Sequence, residues 1–237
     1  MLTRPLAALL LALAVVAPMR SAPMTQKNDW ISLFDGKTLA GWRGYRKPDA
    51  TTTRWTIEDG MLTIAAATGA DTRGALDLIT TDSYDSFELT WEWRISEGGN
   101  SGVKYFVVED RDAAIGHEYQ IIDDERHPDA KIGSHRQTAA FYDVLAAADR
   151  PLKPAGQFNS SRIVVNGGRV EHWLNGTRVL AYELASPELI AAVEKSKFKG
   201  IERFGKPVKG HVLLQDHGDR VWYRNIRIRN LGTGSSR

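Results

Sequence analysis

The stretch RIVVNGGRVEHWLNGTRVLAYEL, residues 162 to 184, sets Asn166-Gly167 and Asn175-Gly176 between three short alternating runs. Such pairs supply the left-handed backbone that tight hairpin turns require, so three antiparallel strands in succession follow. WTIEDGMLTI repeats the device around Asp59-Gly60. In FELTWEWRI, Phe87, Leu89, Trp91, Trp93 and Ile95 fall on one face and Glu88, Thr90, Glu92 and Arg94 on the other, as in a strand with one side in a core. The chain closes on VWYRNIRIRN, with Ile226 and Ile228 opposed to Arg227 and Arg229. Nothing suggests parallel βαβ units. The pattern predicts an all-β, two-sheet antiparallel sandwich of the jelly-roll kind with one short helix over 186–198, where Ser186 caps, Pro187 and Glu188 suit the first turn and Lys195 and Lys197 suit the end.

A chain of 237 residues that is 42% hydrophobic can bury one large core, so a single domain over 23–231 is expected, followed by a frayed tail, 232–237. Residues 1–22 pair Arg4 with an apolar run too short to span a bilayer comfortably and read as a signal peptide. The expected location is therefore exported, periplasmic or secreted, with no membrane attachment after signal removal. A formal net charge of +2 with no basic tract argues against a nucleic-acid partner. There is no cysteine, so the fold is held without disulfides.

The polar faces carry the functional signal. A merely solvated strand face is rich in Lys, Glu and Thr, whereas several strands here offer Gln, Asn, His and single carboxylates among aromatics. That mixture suits sugar hydroxyls, which need donors and acceptors, and pyranose faces, which need aromatic platforms. Candidate platforms are Trp42, Tyr45, Tyr105, Tyr142 and Trp173. GGNSGVKYFV contributes Asn100 and Lys104; HEYQIID contributes Glu118 and Gln120; LLQDHG contributes Gln215 and His217 to one face, with Asp216 on the other. Glu118 sits at a strand centre, where an unpaired carboxylate would be desolvated and raised in pKa, or else would be salt-bridged to an Arg across the strand.

Of six histidines, His127 reads as surface, His172 as half-buried packing, and His135 lies in a loop long enough to fold over a site. His217, beside Asp216 and Gly218, fits a base, a cation ligand or a capped turn. No metal motif, phosphate loop or G-x-S-x-G occurs, and no cofactor is specified. A divalent cation is possible on the chemistry of Glu118, Asp216 and His217.

Taken in order, FDGKTLAGWRG, WTIEDGMLTI, GGNSGVKYF, GHEYQIIDDERH, KPAGQFNSSRIVVNGGRVEHWLNG and LLQDHGDRVWYRNIRI resemble the 3-keto-disaccharide hydrolase family from about Trp30 to Leu231. The resemblance implies a concanavalin A-like sandwich acting on a small oxidised sugar, a 3-keto-glycoside. A ketone at C3 acidifies the C2 hydrogen, so one base can start β-elimination of the C1 oxygen, and water can add back. On that footing Glu118 and His217 are the expected proton-transfer pair. Arg94, Gln120 and Gln215 are expected to hold keto and hydroxyl oxygens, and His135 is a reserve acid. Asn100, Lys104 and Tyr142 complete the expected substrate contacts. A carbohydrate-binding module without turnover, or an adhesive sandwich, are the alternatives.

Overall fold

A computed structural model describes residues 29–64 and 76–232. The leader, the loop Gly69–Asp71 and residues 233–237 of the tail lie outside the described residues. Two antiparallel sheets face each other. Sheet A contains β1 (Ile31–Ser32), β3 (Trp55–Glu58), β4 (Met61–Ile64), β6 (Phe87–Ile95), β9 (Asn159–Asn166), β10 (Arg169–Leu174), β11 (Thr177–Glu183) and β13 (Val221–Asn230), in the order β11-β10-β9-β6-β13-β4-β3 with β1 beside β13. Sheet B runs β2 (Trp42–Gly44), β5 (Leu78–Tyr84), β12 (Gly210–Leu214), β7 (Asn100–Val107), β8 (His117–Ile122).

The expected sandwich is present, and the alternation in β6 sets its core. Phe87, Leu89, Trp91, Trp93 and Ile95 are buried against Tyr105, Tyr119 and Ile121 of sheet B in one continuous apolar cluster. The predicted meander is β9-β10-β11. Asn175 and Gly176 both take positive φ, 46° and 84°, between Leu174 and its partner Thr177; Asp59 and Gly60 do the same between Glu58 and Met61. These are two-residue turns whose twist suits the flanking strands.

Three expectations change. The helix α1 spans only Pro187–Val193: Ser186 Oγ accepts the Leu189 N–H as expected, but the chain turns after Val193 and carries Lys195 and Lys197 beyond the helix. β12 stops at Leu214, so Gln215, Asp216 and His217 belong to a loop. The Gln215 N–H still bonds the Gly102 carbonyl in register with β7, but the Asp216 N–H turns to the Asp77 carboxylate, so the chain leaves the ladder after Gln215. Trp42 and Tyr105 are core residues, not platforms: the Trp42 indole N–H donates to Leu33 O at 2.6 Å, and Tyr105 is fully buried.

Tyr105 belongs to a polar chain through the core. Gly205 N–H donates to His117 Nε2 (3.1 Å), which leaves a proton on Nδ1 for Tyr182 Oη (2.9 Å). Tyr182 and Tyr105 hydroxyls are 2.6 Å apart, Tyr105 Oη meets His172 Nε2 at 2.8 Å, and His172 Nδ1 reaches Ala139 O at 2.9 Å. The donors all point one way only if both imidazoles are neutral. Burial pushes the pKa of His117 down to about 3 and that of His172 to about 4. His172 is therefore a satisfied core histidine, more deeply buried than its hairpin setting suggests.

Candidate active site

Gly102, midway along β7, leaves the space that Glu118 fills from β8: a Cβ there would collide with Glu118 Oε1 and come within 2.9 Å of Cδ. Lys104 is the cross-strand partner of Glu118. Because side chains alternate, Asn100, Gly102 and Lys104 share the outer face of sheet B with Glu118 and Gln120. Glu118 is 5% exposed and has no ion-pair or hydrogen-bond partner for its carboxylate among the described residues. Burial raises its pKa, and the positive charges of Lys104 and Lys197 oppose the rise without cancelling it.

Around this carboxyl lies a cavity of about 420 Å³, lined by Asp77, Lys104, Gly116, Glu118, Lys197 and Gln215, with Phe198 and Ile201 as an apolar flank. Lys104 Nζ is 3.6 Å from Asp77 Oδ2 and donates to Ala114 O at 3.2 Å. Asp77, whose pKa burial also raises, accepts the Asp216 N–H at 2.9 Å and so ties the loop after β12 to the site. Gln215 Oε1 and Asn100 Oδ1 are buried acceptors without a partner among the described residues. Such atoms cost free energy unless something donates to them, and sugar hydroxyls do.

Lys197 arrives from the segment after α1. Its backbone N–H is held by Asp143 Oδ2 at 2.7 Å, and its ammonium lies 4.2 Å from the centre of the Tyr142 ring. Burial lowers its pKa, against the pull of Glu118 and Asp143. Tyr142 donates to Asp129 Oδ2 at 2.7 Å, so its ring forms a fixed wall.

The structure thus brings together Glu118, Lys104, Tyr142, Gln215 and, on the same face, Asn100 and Gln120. Gln120 is 1% exposed and its Oε1 accepts the Ile121 N–H at 3.2 Å. His217 stands on the loop beside them, 45% exposed at its side chain, with Nδ1 3.7 Å from Asp219 Oδ2. Asp216 is no cation ligand, since its carboxylate is turned inward onto Arg54. His135 stands behind the cavity wall: its ring covers Gly133 and its Nε2 lies 3.7 Å from Asp143 Oδ1, on the carboxylate that also holds the Lys197 N–H. Arg94 is not brought to the site. It projects from sheet A, stacked over Trp222 at 4.2 Å and Phe158 at 5.1 Å. Sequence reasoning missed Asp77 and Lys197: the first lies before a strand, the second past a helix, and neither alternation nor local motif marks them.

A second, larger groove of about 520 Å³ crosses the outer face of sheet A between Trp30 and Trp173. Its carboxylate, Glu92, is paired with Arg224 and accepts a hydrogen bond from Asn225, and these contacts hold its pKa low against the effect of burial. The Trp173 ring is covered by the Arg162 guanidinium at 3.9 Å. The buried carboxyl of Glu118 is on the other sheet. Tyr45, the remaining predicted platform, lies under Arg46 on the outer side of sheet B.

Comparison with known proteins agrees with this architecture. A family described as the 3-keto-alpha-glucoside-1,2-lyase-like domain matches residues 29–229. A 3-keto-disaccharide hydrolase of Bacteroides thetaiotaomicron is 38% identical over 230 residues, covering 86% of this chain and 79% of that protein. Two crystal structures from Parabacteroides distasonis, provisionally named glycosyl hydrolases, superpose with TM-scores of 0.75 and 0.64 at 29% and 28% identity. They cover 86% of this chain in each case and 94% and 100% of theirs.

Proposed function

The chain belongs to the 3-keto-alpha-glucoside-1,2-lyase-like domain family, and from that premise we propose that it is a carbohydrate-acting hydrolase that cleaves 3-keto-disaccharides and related 3-keto-glycosides in the Glu118 cavity. The observation that carries the reading is a buried carboxyl with no ion pair among the described residues, flanked by two ammonium groups and by acceptors awaiting hydroxyls. A carboxylate desolvated in this way is a stronger base than a free one.

In the proposed reaction Glu118 takes the proton from C2. The C–H electron pair moves toward the C3 carbonyl, whose developing negative charge Lys104 and Lys197 stabilise. The enediolate then collapses: the C1–O bond breaks, C1 and C2 become doubly bonded, and the departing oxygen receives a proton from His217. Water adds back at C1 while His217 accepts its proton, and Glu118, its acidic proton exchanging with solvent, protonates C2. The sum is hydrolysis; arrest before water addition is a lyase outcome. Ordinary glycosidases need two carboxyl groups across the bond, and this route needs one. Export through the apolar leader is part of the same reading, supported by the sequence of residues 1–22 alone.

The test is incubation of the protein with 3-keto-sucrose or 3-keto-trehalose in D₂O. Released monosaccharide with deuterium at C2 is expected; binding without release or exchange would instead establish a carbohydrate-binding module.

A further inference from the structure

His127, read from the sequence as a surface residue, stands beside His217. The ring centroids are 5.9 Å apart, edge to face at 78°. One nitrogen of each ring and a carboxylate oxygen of Asp219 lie within 4.8 Å of one another. Neighbouring hydrogen bonds give the two rings opposite polarity. His127 Nδ1 accepts the Asp129 N–H at 3.1 Å, which in a neutral imidazole places the ring proton on Nε2. His217 turns Nδ1 toward Asp219 Oδ2, and that carboxylate is itself fixed by the Asn100 N–H at 3.0 Å. A proton on Nδ1 leaves His217 Nε2 with a lone pair. One ring therefore offers a fixed donor and the other an acceptor that can be protonated and deprotonated.

A single oxygen can accept or donate a hydrogen bond of about 3 Å to a nitrogen of each ring across that gap. A cation fits less well. A His127 that ligated through Nε2 would have to carry its proton on Nδ1, facing the Asp129 N–H donor.

We propose that His127 is a further catalytic residue: its Nε2–H holds the oxygen at C1, first the glycosidic oxygen and then the incoming water, while His217 exchanges a proton with that same oxygen. His127 keeps its own proton throughout. The role rests on the 3-keto-glycoside reading and concerns the C1 oxygen, so it is separable from proton abstraction at C2.

His127→Asn tests it, because asparagine is a good cap for the 3-10 turn at Pro128–Lys131 yet is too short to reach the C1 oxygen. With 3-keto-sucrose in D₂O, the expected result is release of the second sugar slowed about 10²-fold, C2 deuterium exchange within about threefold of wild type, and an unchanged Tm. Release at the wild-type rate, or an equal loss of exchange and release, overturns the role of His127 and leaves the function standing. Wild-type protein that neither exchanges nor releases removes the function and the role together. Activity abolished by EDTA and restored by Mn²⁺, with Mn²⁺ binding seen by EPR in wild type and lost in His127→Asn, overturns the proposal in favour of a cation site.

Discussion

Asp216 and Arg54 form a buried ion pair beneath the loop that carries Gln215 and His217. Arg54 Nη2 and Nε lie 2.5 and 3.1 Å from the two carboxylate oxygens, and the side chains are 8% and 0% exposed. Asp216 Oδ1 also accepts the Gly218 N–H at 3.0 Å, so one carboxylate anchors the loop at both ends. Removing it strands a guanidinium in the interior. Asp216→Ala is expected to cost about 3–5 kcal/mol in urea unfolding; a loss below about 1 kcal/mol would mean the loop is held by other contacts.

Glu118→Gln is expected to lose C2 exchange and sugar release at least 10²-fold while leaving Tm equal to or above that of wild type, since a neutral amide replaces a desolvated acid. The wild-type pH profile of kcat/KM should rise through the raised Glu118 pKa as the base ionises. It should fall again at the lowered Lys197 pKa as the ammonium is lost. A profile flat from pH 5 to 10 would remove both assignments.

The buried chain from His117 to His172 should make the fold sensitive to acid. Both folded-state pKa values lie below the unfolded value of about 6.5, so the unfolded chain binds protons first as pH falls. Stability is complete above about pH 6.5 and declines toward pH 4 by roughly 1.4 kcal/mol per pH unit for each histidine. Urea midpoints at pH 7, 5.5 and 4.5 measure the slope, and His172→Gln should shallow it.

Arg94→Ala should leave kcat/KM within about twofold, because the side chain lies on the outer face of the other sheet over Trp222. Lys197→Met should lower it tenfold or more, as expected for a lost electrostatic contact to a developing oxyanion. Steady-state kinetics on one 3-keto substrate compares the two, and the reverse order would relocate the site to sheet A.

The legible part of this chain is the part governed by local rules. Period-two alternation in β6 and the positive-φ pairs at Asp59-Gly60 and Asn175-Gly176 are short-range properties, and they fix strands, faces and hairpins. Glu118, Gln120, Asn100 and Lys104 could be grouped because strand parity puts them on one face once β7 and β8 pair. Arg94 obeys the same parity, but parity does not say which sheet a strand joins; β6 lies in sheet A and its outer face looks away. Lys197 and Asp77 reach the cavity through the path of loops, and His127 comes beside His217 through a turn whose hydrogen bond from the Asp129 N–H becomes visible only in three dimensions. Tyr105 and His172 show the opposite limit. Each looks amphipathic in sequence, and each has its polar atoms satisfied by a partner more than 30 residues away.

The order of sheet A carries one more implication. β13, made last, lies between β6 and β4 and pairs along most of β6. While a ribosome still holds those residues, the sheet has a gap at its middle, and the apolar faces of Trp91 and Trp93 lack their final neighbour. Closure has to wait for Val221–Asn230, and a chain cut before Val221 would leave β6 and β4 without the strand that joins them.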